Sequence, residues 1–209
     1  ILDLACGQGF FAREFAKAGA QVIGVDAARE LIALAKGHSG SPSTSSGTNL
    51  RVAYHIAQAD DLGFLKSGSP VRGRPPVPGA ATAASGQPAS NGMDAVVIVL
   101  ALQNIENIAG VFKECARVLH PRGRLLFVIN HPAFRVPKNS SWGFEESQKI
   151  QYRRIDAYAS ESKVKIKMHP GDKPTEETLS FHRPLQSYFK ALAKTGFAVT
   201  RLEEWNSHK

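Results

Sequence analysis

Strand-like and helix-like stretches alternate along this chain, and that rhythm restricts it to an α/β fold: a mostly parallel sheet with helices on its faces. Residues 1–6 form an apolar run that ends in a glycine-rich turn. A helix is expected over 10–18, where Phe11 and Phe15, and Ala12 and Ala16, recur at four-residue spacing and Gly19 closes the element. Further strands are expected over 21–26, 50–57, 94–102, 124–130 and 198–205, with a helix over 28–36. Ile108, Val111, Phe112, Cys115 and Val118 fall on one helical stripe, so Cys115 belongs to a core and not to chemistry. Leu185, Tyr188, Phe189 and Leu192 predict a last helix, stopped by Gly196.

Two tracts break the rhythm. Residues 39–48 and 67–92 are rich in Ser, Gly, Pro and Ala with few large apolar side chains, too few to offset their ordering entropy, and are expected to be mobile insertions. Residues 131–184 differ, because Phe134, Trp142, Phe144, Tyr152, Tyr158 and Phe181 supply aromatic surface to pack. That stretch reads as a structured insertion over the carboxyl edge of the sheet, suited to a lid over a substrate. At 209 residues, one domain is expected throughout.

The net charge of +8 raises the question of nucleic acid. The basic residues are scattered, and Arg153, Arg154, Lys163, Lys165 and Lys167 are interspersed with acids such as Asp156 and Glu161, as on a solvated face. Nucleic acid is therefore not the favoured partner. Cys6 and Cys115 lie far apart with no metal-ligand spacing, so no metal is expected. The longest apolar run, 95–102, is far short of the roughly 20 residues of a membrane span. With no initiator methionine and a strand already begun at Ile1, the sequence reads as a fragment of a protein from a reducing interior, by default the cytoplasm.

Chemistry concentrates at the first turn. In Asp3-Leu4-Ala5-Cys6-Gly7-Gln8-Gly9-Phe10 the glycines permit a tight turn and close backbone approach, and the next helix presents its free N–H groups to an anion. Asp26 ends the second strand, where a carboxylate grips ribose hydroxyls. The third strand ends in Gln58-Ala59-Asp60-Asp61, whose side chains and backbone can read an adenine edge. Glycine spacing with Asp26 also fits a dinucleotide fingerprint, so on these residues alone an NAD oxidoreductase stays open.

The flanking residues carry a resemblance. The block Ile-Leu-Asp-Leu-Ala-Cys-Gly-Gln-Gly from Ile1, with an acid four residues before the first glycine, resembles motif I of the class I S-adenosylmethionine-dependent methyltransferases. The similarity continues through Gly24-Val25-Asp26, Met93-Asp94-Ala95-Val96-Val97 and the block from Phe112 to Asn130. It is most similar to the small bacterial-type subgroup that includes ubiquinone and menaquinone biosynthesis enzymes.

The resemblance implies a Rossmann-like three-layer α/β/α sandwich, here without the family's N-terminal helices and last antiparallel strand. It implies S-adenosylmethionine as cofactor, with Asp3, Ala5, Gly7 and Gly9 at its methionine end, Asp26 with Ala27 at the ribose, and Gln58 with Ala59 at the adenine. Leu100 to Gln103, at the tip of strand four, would close the pocket. The family often carries Asp where this chain has Gln58, whose carbonyl can still accept from the adenine amino group. The implied reaction is methyl transfer to an O, N or C nucleophile of a small molecule, with S-adenosylhomocysteine as product. His131, directly after strand five, is the best-placed candidate base, with loop anchoring as its alternative; His182 reads more as an anchor. An RNA or protein acceptor, and a non-catalytic scaffold, remain the other classes of function.

Overall fold

The computed structural model describes residues 1–40, 52–65, 92–169 and 173–205. Residues 41–48 and 67–91 of the expected mobile tracts lie outside these. The chain falls into two compact units, the first of residues 1–99 and 110–127, the second of residues 100–109 and 128–209.

The first unit contains a five-stranded sheet built from β1 (Leu2–Leu4), β2 (Val22–Asp26), β3 (Val52–Ile56), β4 (Met93–Val99) and β5 (Leu119–Val128), in the order β3-β2-β1-β4-β5. β1 pairs in parallel with both β2 and β4, and β2 with β3. The register places Leu4 opposite Val25 and Asp26 opposite Ile56, so the turns after β1, β2 and β3 leave the sheet along one edge. Helices α1 (Phe10–Lys17), α2 (Arg29–Gly40) and α3 (Ile108–Val118) flank the sheet.

α1 and α2 pack through Ala12, Ile32 and Ala35 onto Val22 and Tyr54. The predicted stripe of α3 is buried at every position, from Ile108 at 7 % exposure to Cys115 at 0 %. Burial pushes the Cys115 thiol up to about 12, in keeping with a core residue. α1 closes as expected, with Gly19 left-handed at φ 91 and the Ala20 N–H returning to the Phe15 carbonyl at 3.0 Å. Phe11, expected on the buried stripe, is 40 % exposed and stacks on Phe15.

Several boundaries differ from the sequence reading. Ser39 and Gly40, placed in a mobile tract, are the last residues of α2, and the Ser39 hydroxyl donates to the Ala35 carbonyl at 3.0 Å. β4 ends at Val99 because Leu100 turns the chain at φ 52, and a 3-10 turn, Leu102–Asn104, follows. β5 begins before Pro121 and Gly123, which were expected to precede it. As the last strand in the sheet order it can accommodate a proline with no N–H, and a Cβ on Gly123 would sit 2.9 Å from the Met93 carbonyl oxygen.

An ion pair invisible in the sequence pattern locks the segment after β3. Arg117 bonds Glu114 through Nε at 2.8 Å and Nη2 at 2.6 Å, and donates to the carbonyls of Leu62 and Leu65. Glu114 in turn accepts the Leu62 N–H at 2.9 Å. Both side chains are largely buried, so Glu114→Ala should cost about 1.5–3 kcal/mol in urea melts at neutral pH. Arg117 holds the Glu114 carboxyl below its ordinary 4.5. Its contribution is therefore complete above pH 4.5 and fades as pH falls below it, so parent and variant should converge in acid.

The second unit contains two antiparallel hairpins, β6 (Ser140–Glu145) with β7 (Ile150–Ile155) and β8 (Ser162–His169) with β9 (Lys173–His182), and α4 (Leu185–Lys194). The described part of 131–184 thus contains four strands, and its aromatics do not pack as a group. Phe181 is 7 % exposed, whereas Phe134, Trp142, Phe144 and Tyr152 lie on the surface. A two-stranded ribbon has no second layer to bury them: Trp142 carries the Arg153 guanidinium on its ring at 5.1 Å, and the Tyr152 ring covers Gly143 opposite. In α4, Tyr188 and Leu192 are buried but Phe189 is 41 % exposed. The strand expected over 198–205 does not form. Those residues pair with no strand among the described residues, and Val199, Leu202 and Trp205 are exposed. Apolar alternation makes a strand only where a neighbouring ladder receives it. No helix among the described residues is long and apolar enough to cross a membrane.

Candidate functional site

Parallel pairing of β1, β2 and β3 brings most of the predicted cofactor residues to one edge of the first unit. Ala5, Gly7 and Gly9 all have left-handed backbones, at φ 59, 55 and 76. The turn is pinned by the Cys6 N–H on the Val25 carbonyl and the Gly9 N–H on the Cys6 carbonyl, both at 2.9 Å. Gly9 then leads into α1 with no side chain of its own to cap the helix, and in the first turn the Ala12 N–H goes to Asp3.

The two glycines have different reasons to be glycine. A Cβ on Gly7 would meet nothing within 4 Å, so its face is open to an approaching ligand. A Cβ on Gly9 would lie 2.4 Å from the Tyr54 hydroxyl, and one on Gly24 would lie 2.6 Å from the Tyr54 ring. Gly9 was read as a place for close ligand approach; its missing side chain in fact makes room for Tyr54 of β3, 8 % exposed, whose hydroxyl faces the Gly9 carbonyl at 3.5 Å. Sequence reasoning passed over Tyr54, the single aromatic of its strand.

Asp26 accepts the Gly7 N–H on Oδ2 at 2.8 Å and the Ala28 N–H on Oδ1 at 2.9 Å, tying the ends of β1 and β2 together. A carboxylate has about four lone-pair directions, so each oxygen keeps one for a hydroxyl. Ala27 is exposed beside it. Past β3, the Ala57 N–H bonds the Asp26 carbonyl at 3.1 Å, Gln58 is exposed and Ala59 half-buried.

Asp3 is the most unusual group. It is 2 % exposed, and its Oδ2 has no hydrogen-bond partner. Burial pushes its carboxyl up to about 6, the Ala12 N–H opposes this by donating to it, and the Asp26 charge adds to the rise. Burial likewise pushes the neighbouring Cys6 thiol up to about 12, reinforced by Asp3 and Asp26, which leaves it without thiolate reactivity. A buried carboxylate oxygen lacking a donor, beside an open turn, suits a cationic group such as the ammonium of an amino acid.

Leu100, Gln103 and His131 belong to the second unit. The Leu100 N–H bonds the Val128 carbonyl at 2.8 Å, and Gln103 Nε2 donates to the Leu100 carbonyl at 2.6 Å, leaving its Oε1 buried without a partner. His131 has both ring nitrogens engaged: Nδ1 accepts the Ala133 N–H at 3.2 Å and Nε2 lies 2.6 Å from a Glu204 carboxylate oxygen. His182 does not, as its Nε2 meets the Tyr158 carbonyl at 2.8 Å while Nδ1 is buried without a partner. Among the described residues no three His, Cys, Asp or Glu side chains group to hold a metal.

Known proteins resemble this chain in fold and, over part of its length, in sequence. The ubiquinone biosynthesis O-methyltransferase of Xanthomonas oryzae pv. oryzae is 27% identical over 125 residues, which span 60% of this chain and 40% of that protein. The chain thus corresponds to two fifths of the length of such curated relatives. A solved S-adenosylmethionine-dependent methyltransferase from Mesorhizobium loti superposes with a TM-score of 0.68 at 24% identity, covering 98% of this chain and 76% of that one. The glycopeptide N-methyltransferase MtfA, solved with S-adenosyl-L-methionine, gives 0.57 at 16% identity, with 96% and 76% covered. Residues 2–125, the span of the glycine turn, Asp26 and the α3–β5 block, match the methyltransferase domain family, and the chain belongs to that family.

Proposed function

We propose that this protein binds S-adenosylmethionine and methylates a small molecule. The observation that carries the reading is Asp3, a buried carboxyl with an unsatisfied oxygen next to a left-handed turn whose central glycine is open to solvent. Asp3 would take the ammonium of the methionine end, with Ala5, Gly7 and Gly9 shaping the turn against it. Asp26 and Ala27 would hold the ribose on the lone pairs that Asp26 retains, and Gln58 with Ala59 would meet the adenine. When bound, the cofactor supplies an electrophilic methyl on a sulfonium, a leaving group that needs no acid. What remains for the protein is orientation and exclusion of water. The engagement of both His131 nitrogens supports its role as a loop anchor. Cytoplasmic residence and a small-molecule acceptor complete the reading.

Isothermal titration of the intact protein with S-adenosylhomocysteine tests it. Binding with a dissociation constant below about 1 mM, with NAD giving no heat, is expected. No binding at millimolar S-adenosylhomocysteine, or preference for NAD, overturns it.

A further inference from the structure

The second unit has a partly open cavity of about 120 Å³, lined in part by Gln103, Asn130, Ile166, Ser180, His182 and Arg183. Arg183 is 7 % exposed and makes no ion pair among the described residues. Its Nη2 donates to the Glu106 backbone carbonyl at 2.5 Å, its guanidinium lies 5.2 Å over the Phe181 ring and also bonds the Tyr188 side chain, and Nη1 has no partner. Glu106 and Glu161, which line the adjoining pocket with Arg183, form no ion pair with it within 4.0 Å: the Glu106 carboxylate takes Lys163 at 2.9 Å and Glu161 accepts the Ser187 hydroxyl at 2.5 Å. Among the described residues Nη1 is thus a buried, permanently charged donor with no acceptor, which an anion entering the cavity would supply.

We propose that this cavity binds the carboxylate of a small organic acid through Arg183. The adjoining groups fit that class. His182 Nε2 faces a carbonyl, so it carries the ring proton, and the unpartnered Nδ1 can accept from a hydroxyl on the acid. Ile166 and Phe181 give the acid's hydrocarbon body an apolar wall, and the orphaned Gln103 Oε1 can accept from a hydroxyl on it. The cavity is open on one side and has room for a compact acid but not for a nucleotide. The proposal rests on the methyltransferase reading for its meaning, since it assigns the methyl acceptor to the small carboxylic acids.

The test titrates the intact protein with benzoate, its neutral isostere benzamide, and inorganic phosphate, with S-adenosylhomocysteine in parallel. Benzoate should bind and stabilise the protein, while benzamide and phosphate should bind at least about tenfold more weakly. Arg183→Met should lose benzoate binding by a similar factor. Should that variant not fold, Ile166→Phe fills the cavity from its half-buried hairpin face with Arg183 intact, and should lose benzoate as well. Equal binding of benzoate and benzamide, preference for phosphate, no benzoate binding, or unaltered benzoate binding in a folded variant each overturns the carboxylate site. S-adenosylhomocysteine binding without benzoate binding refutes this site alone; benzoate binding without S-adenosylhomocysteine refutes the methyltransferase reading alone.

Discussion

Asp3→Asn should make the protein more stable and nearly unable to bind S-adenosylhomocysteine. The Asp3 carboxyl rises from 3.8 to about 6 on folding. That rise corresponds to about 3 kcal/mol of cost for holding it ionised at neutral pH. The asparagine keeps an oxygen for the Ala12 N–H and removes the charge. A gain of about 1–2 kcal/mol is expected, a few degrees in a calorimetric melt. The lost ion pair to the ligand's ammonium should lower affinity by about a hundredfold.

The sign of the pH dependence separates this account from simple packing. Because the folded protein holds the Asp3 proton more tightly than the unfolded chain does, stability falls as pH rises from 3.8 to about 6 and is level above. Ligand binding should do the reverse. An ammonium captures the ionised form, so binding releases a proton below pH 6 and affinity should decline toward tenfold per unit there. Both trends should vanish in Asp3→Asn; an unchanged pH profile in that variant would remove Asp3 from the site.

Gly9→Ala should be among the most damaging of small substitutions. Its φ of 76 carries about 1–2 kcal/mol of strain for any L side chain. The new methyl would also lie 2.4 Å from the Tyr54 hydroxyl, which adds about 1–3 kcal/mol of overpacking. Only the second cost depends on Tyr54. In a Tyr54→Leu background Gly9→Ala should therefore cost about 2 kcal/mol less than in the parent, measured by urea melts in a double-mutant cycle. Additive costs would mean that the tyrosine does not enforce the glycine.

The parts of the fold that could be read directly were those in which local pattern and tertiary surroundings agree. The α3 stripe from Ile108 to Val118 needed only helical spacing, and the β1 turn only its glycines. Where a residue's state depends on a distant partner, the pattern failed. Nothing near Gly9 in sequence announces Tyr54, 45 positions on, as the occupant of the space it leaves. Residues 198–205 alternate like a strand yet pair with none, and Pro121 lies inside β5 because that strand is last in the sheet order. In the candidate site, residue types and the edge they share were legible, but the unsatisfied oxygen of Asp3 was not. An acid in a strand gives no sign of whether its second oxygen will find a donor. His131 and His182 show the same limit, since what distinguishes them is which ring nitrogen already has a partner.

The positions of the tryptophans decide how this protein can be watched. Its two indoles, Trp142 and Trp205, are 65 % and 73 % exposed, and both belong to the second unit. Their emission in the native state should already resemble that of an indole in water, so unfolding will barely shift it. Loss of the central sheet would pass almost unseen by intrinsic fluorescence. Trp142 instead offers a local reporter: its ring carries Arg153, and whatever draws that guanidinium away should change the emission while the fold stays intact.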